Sequence, residues 1–477
     1  MAHIEINDAI HRTIILSQKE ERVVDHPYVQ RLRYVRQLGF VPYVYPSATH
    51  DRFSHSLGTM HIAGLLAHQM LNNEGVSAIA RILSPEQKEF LTRIVRLAGL
   101  LHDVGHAPFS HPAETAMPDV SSLALSRQWL IYPDERRRAT HEDYSVLLIA
   151  GMTEGKDAVL TAEEAEIISS LVHHKKIKIP SSWKDHFSED LHPESLHCFV
   201  RLLVSSNLDA DRMDYLLRDS HFTGVTYGHY DIPWLISNLG ALERDGDYVM
   251  SIADSGVGAF EHYIFARYHM YIQVYMHKTV KCFEYYFQKA LAEGETRYKI
   301  PASREEYTAM RDSTLLEQLF TAALRNPRSW SGRLIRREPS KRIARIWGNR
   351  QEVEKVFRNV EQELKPLGVT PFMHFSRSEF LELSEAKERA ERGKQGMFLL
   401  RLASMPAVVI RKQFGVVSAA SLADHSFILQ RYHQDISYGD IYILPEEFSA
   451  NETAIQQAIK KFRELAPSEI TLDQDAG

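Results

Sequence analysis

Apolar side chains recur at three- and four-residue intervals through most of the first two-thirds of the chain. Residues 86–101, EQKEFLTRIVRLAGLL, place Phe90, Leu91, Ile94, Val95, Ala98 and Leu101 on one stripe, which predicts an amphipathic helix ending at His102 and Asp103, just before Gly105. The same periodicity predicts helices over 54–71, 163–174 and 195–218 and, with many aromatic residues, over 256–292. Short β-branched or aromatic runs at 13–16 and 40–45 read as a small strand pair, and 247–253 as a further strand. Helices that each bury one stripe pack as a bundle whose core side chains converge.

The pattern changes near residue 300. A Pro-containing segment at 325–350 is rich in Lys and Arg, and strand-like runs at 407–410 and 440–445 then alternate with helix before an acidic tail. The chain is therefore expected to be mainly α: residues 1–300 form a helical core, and 301–477 a smaller α+β carboxyl-terminal lobe for regulation or oligomerisation. A length of 477 residues fits two or three domains, or one large domain with an appended lobe.

Charge and composition exclude several classes. Lys plus Arg is 56 against 62 for Asp plus Glu, so no general attraction to nucleic acid is expected, and an anionic substrate needs a local basic site. Two cysteines, Cys198 and Cys282, provide neither a disulfide framework nor a thiolate metal site. The amino terminus, MAHIEINDAIHR, has no basic region followed by an apolar stretch, and no run approaches the ~18 apolar residues of a membrane span. A soluble, unprocessed, cytoplasmic protein is the expectation.

The chemistry lies in the histidines and aspartates. His55, His102, Asp103 and Asp211 each sit in a distinctive local sequence: RFSHSLG, LLHDVGHAPFSH and DADRMDYLLRD. Imidazole nitrogen with carboxylate oxygen suits a divalent metal such as manganese, iron or zinc and, less well, magnesium; with open positions the site can polarise water and phosphate oxygens. A lone His-Asp pair is more simply a core hydrogen bond, and His50-Asp51 has no apolar helix leading into it. Three motifs together point instead to a metal-dependent phosphohydrolase. Arg52, His106, His111, Glu114 and His141 are close by in sequence, and His111 or His141 has the side chain to protonate a leaving oxygen near neutrality. Each of these histidines also reads as a hydrogen-bonding neighbour. His173-His174, followed by two lysines, reads as a solvated helix end.

Seven ordered motifs, INDAIH, VDHPYVQRLRYVRQLG, ATHDRFSHSLG, LLHDVGHAPFSH, THEDYS, DADRMDYLLRDSHFTGVTYG and ARYHMYIQVYMHK, span most of the first 290 residues. In them the chain resembles an HD-superfamily deoxynucleoside triphosphate triphosphohydrolase, of the bacterial branch close to the vertebrate sterile-alpha-motif and HD-domain dNTPase. The resemblance implies an HD-domain helical bundle that hydrolyses dNTPs at the α-phosphate to deoxynucleoside and triphosphate. It implies metal ligation by His55, His102, Asp103 and Asp211. His111 would act at the leaving oxygen with Glu114 in support, Arg52, His106, Arg212 and Arg267 would clamp phosphates, and His141 would face the same site. Gln37 and Asp219 would bind the 3′-hydroxyl, Tyr215 would pack on the sugar, and Leu38 and Tyr275 would exclude a 2′-hydroxyl, unless these last two are ordinary core.

The resemblance further implies a homo-oligomer, dimer or tetramer, with a nucleotide activator between subunits. Asp25, Gln30 and Arg33 match its guanine-reading residues, and Arg337 and Lys341 have the spacing of further contacts. Ile4, however, stands where the relative has a phosphate-binding lysine, and Ile232-Pro233-Trp234 replaces an expected arginine. Activation is therefore expected to be lost or changed in kind. Two other readings use the same residues: an HD enzyme acting on another nucleotide or single-stranded nucleic acid, and a nucleotide-sensing or nucleic-acid-binding protein using the basic 325–350 segment.

Overall fold

The computed structural model describes residues 4–378 except 174 and 245, with 408–413, 416–421, 426, 436–465 and 470–471. It opens on an antiparallel hairpin, β1 (Ile4–Asp8) and β2 (Arg12–Leu16), with Ile4 opposite Leu16. The run at 40–45, expected to be the partner of 13–16, is instead a 3-10 turn at Val41–Tyr43. Pro42 has no amide to give a ladder, and Phe40 turns inward to stack on Phe109 with ring centroids 4.9 Å apart.

The central helix is α1 (Arg52–Asn72), capped by Asp51, whose carboxylate accepts the Ser54 amide at 2.9 Å. It is buried on most of its faces, from Phe53 to Leu71. Against it lies α2 (Pro85–Leu101), started by a reciprocal cap: Ser84 Oγ accepts the Gln87 amide and Gln87 Oε1 accepts the Ser84 amide. Its expected stripe is buried, save that Phe90 remains partly exposed. A Cβ at Gly99 would lie 3.0 Å from Ala63 Cβ and 3.1 Å from the Thr59 carbonyl oxygen, so glycine relieves a tight contact where the two helices close on each other. That approach brings the end of α2 beside the first turns of α1.

Next come α3 (His141–Gly151), α4 (Ala162–Val172), α5 (Pro193–Leu202) and α6 (Ala210–Thr223). The single helix expected over 195–218 is thus two. Asp209 accepts the Arg212 amide at 2.7 Å and the Ser206 amide at 2.6 Å, so it caps α6 while closing the turn after α5. The solvated end expected at His173 is also corrected: His173 is buried with Nε2 3.2 Å from Asp143 Oδ1, and residue 174 lies outside the described residues.

Beyond the hairpin of β3 (Leu239–Arg244) and β4 (Asp247–Ala253), the helix expected over 256–292 divides into α7 (Val257–Met270), a π turn at Tyr271–Tyr275 and α8 (Lys278–Ala292). A short helix, Arg304–Thr308, leads to α9 (Asp312–Arg325). The basic segment is ordered, not a solvated loop: it forms a helix at Trp330–Ile335 and strand β5 (Lys341–Trp347). Four of its arginines are paired with carboxylates, Arg333 with Glu446, Arg336 with Glu338, and Arg342 and Arg345 with the buried Asp440.

After α10 (Arg350–Leu364) come strands β6 (Phe372–Ser378), β7 (Val408–Gln413), β8 (Val416–Ser421) and β9 (Ile436–Ile443), then helix α11 (Pro445–Leu465) and strand β10 (Ile470–Thr471). One sheet has the order β10-β5-β9-β6, all antiparallel; the other, β3-β4-β7-β8, pairs β4 with β7 in parallel. Of the run read at 407–410, residue 407 lies outside the described residues and the rest is in β7. A large apolar core runs from Ile14 through Leu334 to Tyr442, and a smaller one packs Ile343, Ile346, Ile441 and Ile443 against Val353, Val360 and Ile455. The protein is mainly α with a smaller α+β carboxyl-terminal region. Among the described residues no helix is long and apolar enough to cross a membrane.

Candidate metal centre and active site

His55, on the first turn of α1, is fully buried. Its Nδ1 lies 2.7 Å from Asp214 Oδ2, an acceptor that fixes the proton on Nδ1 and leaves the Nε2 lone pair free. Asp214 is itself held by His11 Nε2 at 2.6 Å and by Arg218, which also pairs with Asp8. Gly58 makes room for this group, since a Cβ there would fall 1.9 Å from Asp214 Oδ1. His102, at the end of α2, donates Nδ1–H to the Gly99 carbonyl at 2.8 Å.

Both Nε2 atoms face two carboxylates. His55 Nε2 is 3.0 Å from Asp211 Oδ1 and 3.6 Å from Asp103 Oδ2, and His102 Nε2 is 3.2 Å from Asp103 Oδ1 and 3.5 Å from Asp211 Oδ1. The ligand atoms of His55, His102 and Asp211 all lie within 4.8 Å of one another. Neither Nε2 has a partner in hydrogen-bond geometry although both atoms are buried. Buried polar atoms are rarely left so. Two orphaned imidazole nitrogens opposite two carboxylates fit a divalent cation.

The charges agree. Burial works against a charged His55, yet the nearby carboxylates of Asp211 and Asp214 push its pKa up to about 10. His102 is raised likewise against burial by Asp103 and Asp211. Asp103, despite burial, is held down to about 2 by the His102 charge and by Arg52, which donates Nη1–H to it. Without a cation the carboxylates keep protons on the imidazoles; cation binding must displace those protons.

A second cluster lies alongside. Glu114 Oε1 accepts Nδ1–H from His111 at 2.9 Å and from His141 at 2.7 Å. His141 stacks on His106 with centroids 3.9 Å apart, and His106 Nε2 is 3.5 Å from Asp103 Oδ1, which joins the two clusters. Glu114 is held well below the carboxylate range: burial opposes this, and the two histidines overcome it. His141 is raised to about 9 by Glu142 and Glu114 against burial, whereas burial and the Arg52 charge push His106 well down. The His111 side chain is 67% exposed, so its ring faces an open space beside the buried metal ligands. A Cβ at Gly105 would lie 2.1 Å from the Ser145 nitrogen and 2.3 Å from the His141 carbonyl, so glycine is what allows this loop to meet the start of α3.

The residues expected at the sugar also come together. Asp219 Oδ2 accepts the Tyr275 hydroxyl at 2.7 Å, and Asp219 Oδ1 is 2.8 Å from His50 Nε2. Tyr215 meets Tyr275 edge-on at 6.0 Å. Gln37 Oε1 is buried without a partner, and its backbone amide bonds the His50 carbonyl at 3.0 Å. Leu38 and Tyr275 are partly buried at the edge of the core. His50 is a functional candidate the sequence reading passed over; it does not join the metal ligands, and only its contact with Asp219, 169 positions away, reveals it.

The arginines expected at the phosphates are each held by a polar neighbour. Arg52 Nε donates to Ser110 Oγ at 3.0 Å; Arg212 pairs with Asp209 at 2.6 Å; Arg267 donates to Asn207 at 3.2 Å and lies 5.8 Å from the Tyr271 ring. Of the expected activator residues, Arg33 Nε donates to Gln30 Oε1 at 2.8 Å near the exposed Asp25, while Arg337 binds the Tyr43 carbonyl and Lys341 lies over Phe448. No hydrogen bond or ion pair between described residues joins these two groups within one chain.

A helical bundle that aims two imidazoles and two carboxylates into one buried site has the donor set to hold a divalent metal. Residues 52–217 match the HD domain and 231–367 the HD associated region, and the chain belongs to the HD phosphohydrolase family. It is 32% identical to an uncharacterized protein of Methanocaldococcus jannaschii, over 60% of this chain and 49% of that one. It is 28% identical to the deoxynucleoside triphosphate triphosphohydrolase of Homo sapiens, over 66% of this chain and 50% of that protein. The chain thus spans about half the length of the curated relatives it matches. Two solved structures share the fold at 22% identity: a hypothetical protein from Aquifex aeolicus (TM-score 0.67, 97% of this chain and 100% of that one) and a phosphohydrolase from Bacteroides thetaiotaomicron (0.62, 92% and 100%).

Proposed function

We propose that the protein is a metal-dependent dNTP triphosphohydrolase, converting dNTP and water to deoxynucleoside and inorganic triphosphate. The observation that carries this reading is a polar group, Gln37, His50 and Tyr275, gathered about Asp219, which stands two turns along α6 from the candidate metal ligand Asp211. Similarity to the human deoxynucleoside triphosphate triphosphohydrolase supports it.

His55, His102, Asp103 and Asp211 would hold the cation, manganese, iron, zinc or magnesium, which when bound supplies positive charge that activates water and neutralises phosphate oxygens. The oxygen of water attacks the α-phosphorus and the bond to the sugar 5′-oxygen breaks. His111 gives its Nε2 proton to that departing oxygen, while the Glu114 carboxylate holds Nδ1–H and so orients the ring for the transfer. His141 shares Glu114 and stacks on His106, which fixes the position of the carboxylate. Arg52, His106, Arg212 and Arg267 line the phosphates, where positioning and charge dominate the chemistry. Gln37 and Asp219 bind the 3′-hydroxyl, Tyr215 packs on the sugar, and Leu38 with Tyr275 leaves a 2′-hydroxyl without room or a partner.

The protein acts as a cytoplasmic homo-oligomer. On this reading the activator groups, Asp25, Gln30 and Arg33 on one side and Arg337 and Lys341 on the other, would meet between subunits, and the apolar Ile4 leaves nucleotide activation lost or changed in kind. Purified protein incubated with each dNTP and GTP, singly and mixed, in manganese or magnesium, tests the reading. Deoxynucleoside plus triphosphate is expected; pyrophosphate or phosphate as product, or no turnover with metal bound, overturns it.

A further inference from the structure

The loop from Asp103 to His111 carries both His106 and His111 but is not held by helix or sheet hydrogen bonding along most of its length. It also contains two consecutive non-glycine residues with positive φ, Phe109 at 60° and Ser110 at 61°, the latter with ψ −142°. L-residues adopt these conformations only where surrounding structure enforces them. The enforcement comes largely from outside residues 52–217.

Arg31, 4% exposed, donates from Nη2 to the Val104 carbonyl at 3.1 Å and to the His106 carbonyl at 2.7 Å. Tyr307, fully buried, donates its hydroxyl to the Gly105 carbonyl at 2.6 Å. Asp312, 8% exposed, accepts the Phe109 amide at 3.0 Å with one oxygen and the Arg36 amide at 3.1 Å with the other. Ser110 Oγ then donates to the Arg36 carbonyl at 2.9 Å and accepts Arg52 Nε–H at 3.0 Å. Arg31 also braces the segment that bears the other two: its guanidinium lies 5.0 Å from the Tyr307 ring and donates to the carbonyl of Met310, two residues before Asp312, at 3.4 Å. Three successive carbonyls and one amide of the loop are therefore satisfied by side chains more than 70 positions away in sequence.

We infer that Asp312 and Tyr307, from the HD associated region, together with Arg31, are positioning residues for the loop that carries His106 and His111. They touch no reacting atom; they fix the backbone from which His111 reaches the departing oxygen. The associated region is on this view a structural part of the active site, because its Asp312 holds the Phe109 amide directly and also holds the amide of Arg36, whose carbonyl accepts from Ser110. The catalytic half of the inference rests on the proton-donor role proposed for His111.

The test uses the full-length, metal-loaded protein with Asp312→Ala, Asp312→Asn and Tyr307→Phe. In Asp312→Ala we expect kcat to fall by about 10²-fold, the order that a displacement of ~1 Å at a reacting group produces, with KM within about twofold and bound metal unchanged. Asp312→Asn, which keeps one acceptor oxygen, recovers part of the rate, and Tyr307→Phe lowers kcat by a smaller factor. Amide hydrogen exchange should accelerate across residues 104–111 and at Arg36, and elsewhere stay as in the parent. If Asp312→Ala does not fold, Tyr307→Phe decides: a folded Tyr307→Phe protein with parental kcat and parental exchange overturns the inference. Accelerated exchange in the loop with unchanged kcat overturns the catalytic half. Absence of dNTP turnover by the parent overturns the proposed substrate instead; the clamp is then read from exchange and from hydrolysis of bis(p-nitrophenyl) phosphate. Unchanged protection at Phe109 and Arg36 in a folded Asp312→Ala protein overturns the inference whatever the substrate.

Discussion

His55 and Asp211 stand on long helices and His102 closes another, whereas His106 and His111 ride on an irregular loop and His141 opens a helix of its own. The first group is fixed by elements that fold on local signals: an Asp51 cap, a Ser84–Gln87 capping box and an Asp209 cap. The second is fixed by side chains from elsewhere, and its loop includes two residues in backbone conformations that cost on the order of 1–3 kcal/mol each. The contrast separates two tasks. A metal centre needs rigid ligands in place before the cation arrives, while a proton donor must face an open space that admits substrate, and His111, proposed above for that role, stands where the loop ends in a short 3-10 helix.

The sharpest way to break the comparison is at the first group. Asp211→Ala should lose bound metal and hydrolysis together, measured by elemental analysis and product release; a metal-free variant with full turnover would sink the ligand assignment. His111→Ala should leave metal content and nucleotide binding intact while lowering kcat by ~10²–10⁴-fold, as expected for removal of a general acid. Parental turnover would move the proton to His141 or to water.

Smaller effects sharpen the picture. Asp214→Asn weakens the bond that orients His55 and should reduce metal affinity by ~10–100-fold in chelator competition; an unchanged affinity would show that packing alone orients the ring. The smallest effect concerns His141. Its folded pKa of about 9 exceeds the unfolded value of ~6.5, so the stability it contributes is fully present below pH ~6.5 and is lost as pH rises through about 9. With its side chain 15% exposed, that contribution is on the order of 1–3 kcal/mol. Thermal unfolding between pH 6 and 10 should therefore fall less steeply in His141→Gln than in the parent. Parallel curves would mean that Glu114 does not hold a proton on this ring.

The four candidate metal ligands are legible in the sequence because each lies inside a helix-forming or helix-ending pattern, and His106 and His111 because they follow one of those patterns within ten positions. The breaks at 203–209 and 271–277 were missed because apolar spacing continues across them, and only the Asp209 and His277 caps mark where the backbone restarts. The run at 40–45 has strand-like composition, but Phe40 stacks on Phe109, a contact that periodicity cannot express.

The sequence alone determined the helix periods, the caps and the kinds of ligand atom available, since those depend on residues within a turn or two of each other. Tertiary structure decided which of the 24 histidines do what. It set His50 against Asp219, Asp214 behind His55, and Asp312 and Tyr307 under the loop at 104–111. These are hydrogen bonds between groups buried together from distant parts of the chain. Burial makes an unpaired polar atom expensive, so the fold, and not the local sequence, selects the partner.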